Sequence, residues 1–234
     1  MRVVNMSAAF GRVIRGVVML VGVSLAPLLV AEEMAAPGPG AVVKAATDHI
    51  MAAVAEAPEY FDTDPERYYA EVGAELDKVV DFRGFARGIM GSYASSERFR
   101  SLDKAGQENL RAQLDRFTGV VRDGLITTYS KGLLAFGGSD VELKDVELSP
   151  DSVRVASVTQ LVRADDSRVY TLKYQMGQYR DGQWRLRNMI IENINLGEIY
   201  RGQFEAAVKA EDGDIDAVID AWNTVAFDDA GEEA

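Results

Sequence analysis

Apolar residues recur every three or four positions from residue 41 to 136, then every second position over much of 141–191. The two periods predict a helical part followed by a sheet. Val43, Ile50, Val54 and Ala57 mark a helix over 41–57. Thr63-Asp64-Pro65-Glu66 is a helix start, in which Thr63 or Asp64 caps, Pro65 suits the first turn and Glu66 complements Thr63. Tyr69, Val72, Leu76 and Val79 then form one stripe. Residues 81–93 predict a short third helix carrying Phe82, Phe85, Ile89 and Met90. Its glycines, Gly84, Gly88 and Gly91, weaken it by about 1 kcal/mol each. Either close packing against a neighbour offsets that cost, or the segment is a broken helix. The longest periodic run spans Asp103 to Phe136, with Leu110, Leu114, Phe117, Val121, Leu125, Tyr129, Leu133 and Phe136 in step, and Gly119 and Gly124 as places where it bends or divides.

Beyond Gly137-Gly138 four strands are predicted: 141–148, 153–162, 169–179 and 184–191. Pro150-Asp151, Asp165-Asp166 and Asp181-Gly182 mark the turns, so the strands form an antiparallel meander. Two helices, 196–209 and 215–222, close the chain. If Asp181-Gly182 is the hairpin loop, Leu172 faces Ile191, Tyr174 faces Met189, Gly177 faces Leu186 and Tyr179 faces Trp184. Leu172, Tyr174, Met189 and Ile191 then share one face, and Tyr179, Trp184, Leu186 and Ile190 the other. Both faces are apolar on this register. One is covered by helices, and the other meets more helices or lines a hollow.

The ends differ in character. Residues 1–31 begin with Arg2, Arg12 and Arg15, carry no acidic residue, and hold an apolar run from Val17 to Val30. That run is shorter than the roughly 20 residues a spanning helix needs, and Pro27 interrupts it. It is read as a secretory signal cut near Ala31, rather than an uncleaved anchor. Residues 32–40 form a linker, 41–224 one domain and 225–234 an acidic tail.

The chain has 234 residues with 25 basic and 37 acidic side chains, net −12. Loss of the signal removes three arginines, leaving 22 against 37, net −15. Long-range attraction to nucleic acid or anionic membrane is therefore excluded. No cysteine is present, which excludes disulfides and thiolate chemistry. His49 is the single histidine, so two-histidine metal sites are excluded, and no Gly-x-Ser-x-Gly elbow accompanies it. Asp212-Gly-Asp214-Ile-Asp216 lacks the glycine and the final Glu of a calcium loop, and Asp214 reads as a helix cap. No catalytic and no metal residue is assigned. Tyr129, Phe136, Tyr170, Tyr174, Met176 and Met189 are residue types that ordinarily form a core, and a pocket for long apolar ligands uses the same ones.

Several segments resemble the MlaC family, the Ttg2-type toluene-tolerance family, across roughly residues 41–222. They are Asp81-Phe82-Arg83 with Met90-Gly91-x-Tyr93; the long helix through Thr128-Tyr129-Ser130 to Leu133-Leu134; Asp181-Gly182-x-Trp184 through Asn188 to Ile191; and Asn195-Leu196 with Tyr200-Arg201-x-Gln203-Phe204. Ala94, Asn188, Asn193 and Asn195 depart from the family's usual Trp, Asp, Gly and Ser. The resemblance implies an α+β fold, with helices packed on a curved antiparallel four-stranded meander, NTF2-like related, enclosing an apolar cavity. It implies a periplasmic phospholipid carrier without enzymatic activity and without a cofactor other than bound phospholipid. The implied partners are an inner-membrane ABC transporter with an MCE-domain subunit and an outer-membrane lipoprotein complex, which together maintain outer-membrane lipid asymmetry. Combined with the register above, Leu172, Tyr174, Met189 and Ile191 are the expected pocket wall, faced by Leu125 and Tyr129 from the long helix. Tyr200, Arg201 and Phe204 are expected to anchor the last helices to the sheet. The alternatives are an NTF2-like enzyme or small-molecule binder using the same hollow, and a cavity-free interaction protein.

Overall fold

The structure is a computed structural model that describes residues 36–163 and 168–225, with side chains as far as Trp222. The expected signal segment with its cut near Ala31, the Asp165-Asp166 turn and the tail from residue 226 lie outside the described residues. Five helices come first: α1 (Pro39–Glu56), α2 (Pro65–Val79), α3 (Phe82–Met90), α4 (Ser96–Ser101) and α5 (Lys104–Leu133). The strands β1 (Asp140–Ser149), β2 (Ser152–Arg163), β3 (Val169–Gln178), β4 (Trp184–Ile191) and β5 (Ile194–Asn195) follow, then α6 (Leu196–Ala210) and α7 (Ile215–Val225).

Local chemistry accounts for the helix ends. α1 starts at Pro39, inside the expected linker, because proline's missing N–H costs nothing in a first turn. Gly40 is buried where β1 crosses; a Cβ there would lie 2.7 Å from Val146 Cγ2. Asp64, not Thr63, caps α2: its carboxylate accepts the Arg67 N–H at 3.3 Å, while the Thr63 hydroxyl donates to the Tyr60 carbonyl. Asp103 caps α5 through the Gly106 N–H. α5 runs 30 residues without a break, so Gly119 and Gly124 do not divide it. Its charged residues, among them Arg111, Asp115, Arg116 and Arg122, suit water, and no described helix is long and apolar enough to cross a membrane.

The sheet is a single antiparallel meander in the order β1-β2-β3-β4-β5. It has five strands rather than the four expected. The extra one is the two-residue β5, reached through a tight reversal in which Glu192 takes φ 54°.

The β3–β4 register begins as expected, with Leu172 opposite Ile191 and Tyr174 opposite Met189. A bulge at Arg187 then shifts it, so that Met176 faces Leu186 and Gln178 faces Trp184. This overturns the expected pairs Gly177–Leu186 and Tyr179–Trp184, and with them the two-faced apolar sheet. Trp184 and Leu186 join Leu172, Tyr174, Met189 and Ile191 on one face. The physical reason is that a one-residue slip would send half of an apolar set to water, and one extra residue restores the phase. β1 does the same: its register shifts at Lys144, and Val141, Leu143, Val146 and Leu148 all stay on the shared face with Ala156, Val158 and Val162 of β2. The opposite face carries Glu142, Asp145, Glu147, Ser157, Thr159, Lys173, Gln175, Arg185 and Asn188, with Val155, Leu161 and, as expected, Ile190 among them.

Asn188 ties the sheet to α6. Its Oδ1 accepts the Gly197 N–H at 3.0 Å, and its Nδ2 donates to Asn195 Oδ1 at 2.8 Å. Asn195 caps α6 by accepting the Glu198 N–H. Tyr200, Arg201 and Phe204, expected to anchor the last helices to the sheet, join helix to helix, and the cluster that holds Tyr200 and Phe204 is bordered by Met189 and Ile191 of β4. Tyr200 packs edge-on to Phe85 of α3, and Arg201 Nε donates to the Gly88 carbonyl at 2.9 Å. Phe204 sits among Tyr93, Phe117 and Trp222. Arg201 also explains one glycine of α3: its aliphatic stem lies 3.4 Å from where a Cβ of Gly91 would be, and Gly91 has φ 55°.

Candidate functional site

The inner face of the sheet is apolar from β1 to β4, and helices cover it unevenly. Val43 of α1 packs with Ala156, Val158, Met176 and Trp184, and Val42, Tyr174 and Leu186 border that cluster. A second, larger cluster is helical, built from α3, α5, α6 and α7, with Leu125, Tyr129, Met189 and Ile191 at its border. A third joins α1 to α2 through Val54, Ala57, Tyr68 and Val72, bordered by Ile50 and Leu133. A well-packed interior tends to merge into one contiguous cluster. Here the described buried side chains form three, and half-covered apolar residues lie between them.

The six residues expected to line a pocket fall in this intermediate zone. Leu125, Tyr129, Met189 and Ile191 border the helical cluster, Tyr174 borders the α1–sheet cluster, and Leu172 belongs to none of the three. All six are half-buried. Tyr174 is the most telling. Burial pushes its phenol well above the ordinary range, yet the side chain keeps accessible surface.

Polar groups on this face satisfy one another. Tyr174 OH donates to Gln160 Oε1 at 2.9 Å, and Gln160 Nε2 donates to Thr47 Oγ1 of α1 at 3.0 Å. Gln160 is only 2% exposed, so without these partners it would carry a desolvation cost of roughly 1–3 kcal/mol. The Tyr129 and Tyr200 hydroxyls lie 3.1 Å apart, and burial raises both phenols. The face therefore presents hydrocarbon, with neutral hydrogen-bonding groups turned toward each other.

The sequence reading missed Thr47, Gln160, Trp184 and Leu186. A signal for the last two was present. Apolar residues at 184, 186, 189 and 191 repeat the spacing of 141, 143, 146 and 148, and the three-residue step marks a bulge in each strand. Gln160 had no such signal, because its partner Thr47 is 113 positions away.

The other candidates for chemistry are placed elsewhere. His49 is exposed on α1 with Nδ1 3.0 Å from Glu75 Oε2 of α2. Asp214 accepts the Ala217 N–H at 3.0 Å at the start of α7. Among the described residues no group of three or more His, Asp or Glu gathers as a metal site.

Known proteins share this architecture and sequence. The phospholipid-binding protein from Ralstonia solanacearum, solved in complex with a phospholipid at 1.53 Å resolution, superposes with a TM-score of 0.65. That match covers 84% of this chain and 98% of the other at 18% identity, which establishes a common fold. The toluene tolerance protein ttg2D of Pseudomonas putida is 28% identical over 204 residues, 87% of each chain. The MlaC protein family matches residues 44–224, and the chain belongs to that family.

Proposed function

We propose that this protein is a periplasmic phospholipid carrier, exported by a signal segment cut near Ala31 and holding acyl chains against the inner face of the sheet. The observation that carries the reading is the apolar inner face of the sheet, where half-buried Met189 and Ile191 border one cluster, Tyr174 borders another and Leu172 belongs to none. The Ralstonia solanacearum protein, which has the same fold and was solved with a phospholipid, supports it. Leu125 and Tyr129 of α5 form the opposite wall.

The energetics suit a carrier. Burying a dozen methylenes at about 0.8 kcal/mol each gives on the order of 10 kcal/mol of gross affinity, offset in part by immobilisation of the chain. Thr47, Gln160 and Tyr174 link α1, β2 and β3 without leaving a polar group to face hydrocarbon. Release into a membrane then requires no bond to break, and the reading assigns no covalent chemistry. With the three arginines of the signal gone, 22 basic against 37 acidic side chains leave a net charge of −15, which opposes spontaneous adsorption to anionic bilayers, so exchange runs through protein docking. The docking partners in this reading are an inner-membrane ABC transporter with an MCE-domain subunit and an outer-membrane lipoprotein complex. The process served is upkeep of outer-membrane lipid asymmetry.

The test is chemical. The protein is purified from periplasm, weighed by native mass spectrometry and extracted with organic solvent. The carrier reading expects a mass above that of the bare chain and a phospholipid in the extract. A bare-chain mass with an empty extract refutes it.

A further inference from the structure

We propose that the cleft between α3, α4, α5 and the outer face of the β3–β4 hairpin is an anion site that takes a phosphate group. The cleft has a volume of about 760 Å³, and Arg87, Arg100, Arg111 and Arg187 line it. Elsewhere on this acidic surface Arg67 sits on Glu71, Arg116 on Asp216, Arg122 on Asp77, Arg163 on Glu142 and Arg185 on Asp181, while Arg98, Arg154, Arg180 and Arg201 stand singly, without a carboxylate at ion-pair distance among the described residues and outside the cleft. None of the four cleft arginines has a carboxylate within ion-pair distance among the described residues. Arg83, also at the cleft, is answered by Asp115. Four unneutralised cations converge in a chain whose acidic residues outnumber its basic ones 37 to 25.

The arrangement is built rather than incidental. The Arg111 guanidinium lies over the Phe99 ring at 4.6 Å, and that of Arg187 over the Tyr179 ring at 4.9 Å. Arg187 is the bulge residue of β4, and its guanidinium lies across Gly177, occupying the space a Cβ would need. Asp81 is the one carboxylate lining the cleft, and it is already engaged. Its Oδ1 accepts the Gly84 N–H at 2.8 Å and its Oδ2 accepts the Tyr179 hydroxyl, which holds the ring beneath Arg187. Stacked guanidinium forks match the oxygens of a phosphate in two-pronged fashion, as a lysine would not.

The cleft is separate from the interior proposed for acyl chains. Tyr179 and Arg187 lie on the polar side of the hairpin, and Tyr174 and Met189 on the other. The inference therefore does not rest on the carrier reading. The phosphate can come from a lipid presented at a bilayer surface or from a soluble phosphate.

Two probes separate the sources. Inorganic phosphate is titrated into the isotopically labelled full chain at low ionic strength while amide shifts are followed, since exposed charges are screened beyond about 10 Å at 0.1 M salt. Flotation with phosphatidylcholine vesicles, with and without phosphatidylglycerol, tests the lipid source. Two variants are compared with wild type: R111Q/R187Q, and R87Q/R100Q, whose side chains are exposed and whose loss leaves the fold intact. R163Q, away from the cleft, is the control. Saturable shifts confined to the cleft, weakened at least about tenfold by either double variant and unchanged in R163Q, support a soluble phosphate site. Phosphatidylglycerol-dependent flotation lost in the double variants supports a lipid source. Shifts spread over all basic residues, responses indifferent to both double variants, or no response to either probe overturn the proposal.

Discussion

Leu172 separates a filled core from an open interior, because the two give opposite expectations for both truncation and enlargement. It faces Gln160 on β2 and Ile191 on β4, is half-buried, and belongs to no buried cluster. Full burial of a leucine is worth about 1.5–3 kcal/mol, so a half-covered one contributes roughly 1 kcal/mol. Leu172→Ala in an already open site adds little new void, whereas in a packed core the void raises the loss to about 2.7–5 kcal/mol. Leu172→Trp overpacks a filled core by about 1–3 kcal/mol but enters open space at almost no cost. The expectation for lipid-free protein is therefore a loss of about 1 kcal/mol for the alanine variant and near zero for the tryptophan. At about 2–4 °C per kcal/mol for a chain of this size, the alanine variant melts a few degrees early. Val158→Ala, at a fully covered neighbour on the same face, supplies the packed-core comparison. Lipid at 100 times its dissociation constant stabilises the wild type by about 2.7 kcal/mol, and the tryptophan variant forfeits most of that by filling the chain's place. Urea unfolding followed by circular dichroism, with and without lipid, reads all of these. A loss above about 3 kcal/mol for alanine together with about 2 for tryptophan, both lipid-free, refutes the open interior.

Two glycines of the α3 segment should respond oppositely to alanine. Gly88 is helical with no atom near its missing Cβ, so Gly88→Ala stabilises by about 0.5–1 kcal/mol; Gly91→Ala costs about 1–2 kcal/mol or more at φ 55° beside Arg201, and equal midpoints in urea would contradict the account. The Tyr68 phenol, whose hydroxyl donates to the Ser130 carbonyl at 2.9 Å, is pushed up to about 12 by burial, from 10.0. The folded state thus keeps a proton that the unfolded chain gives up near pH 10, so this stabilisation is complete below pH 10 and is lost between 10 and 12, amounting to roughly 2–3 kcal/mol. Tyr68→Phe removes about 1 kcal/mol at neutral pH and flattens the alkaline decline; unchanged stability–pH slopes for the two proteins would argue against it.

Much of the fold was legible in the chain. The helical stripe from Leu110 to Leu133 matched α5, because every core contact along one helix face obeys a single local period, and Phe136 falls just past its end. The caps at Asp64 and Asp214 were legible for the same reason, being bonds within four residues. The meander followed from its short turns, while the expected pairs Leu172–Ile191 and Tyr174–Met189 hold because the bulge at Arg187 offsets a hairpin loop one residue longer than expected, closed by Tyr179 and Gln183. Local pattern reaches no further than that. The bulges at Lys144 and Arg187 alter which side chains share a face, and strand alternation read in an unbroken period put Trp184 and Leu186 on the wrong side.

The Tyr200-Arg201-x-Gln203-Phe204 run identified the family, yet its role appeared only when α3, α5 and α7 were in place around it. The Thr47–Gln160–Tyr174 link and the arginine cleft join residues tens to more than a hundred positions apart. Sequence alone determined the long elements, their order and the membership, since those depend on near neighbours and on shared motifs, while the short α4 and β5 carried no period to read. Tertiary structure alone decided where apolar surface stays uncovered and where cations converge. Both depend on how distant segments meet, and no local period encodes that.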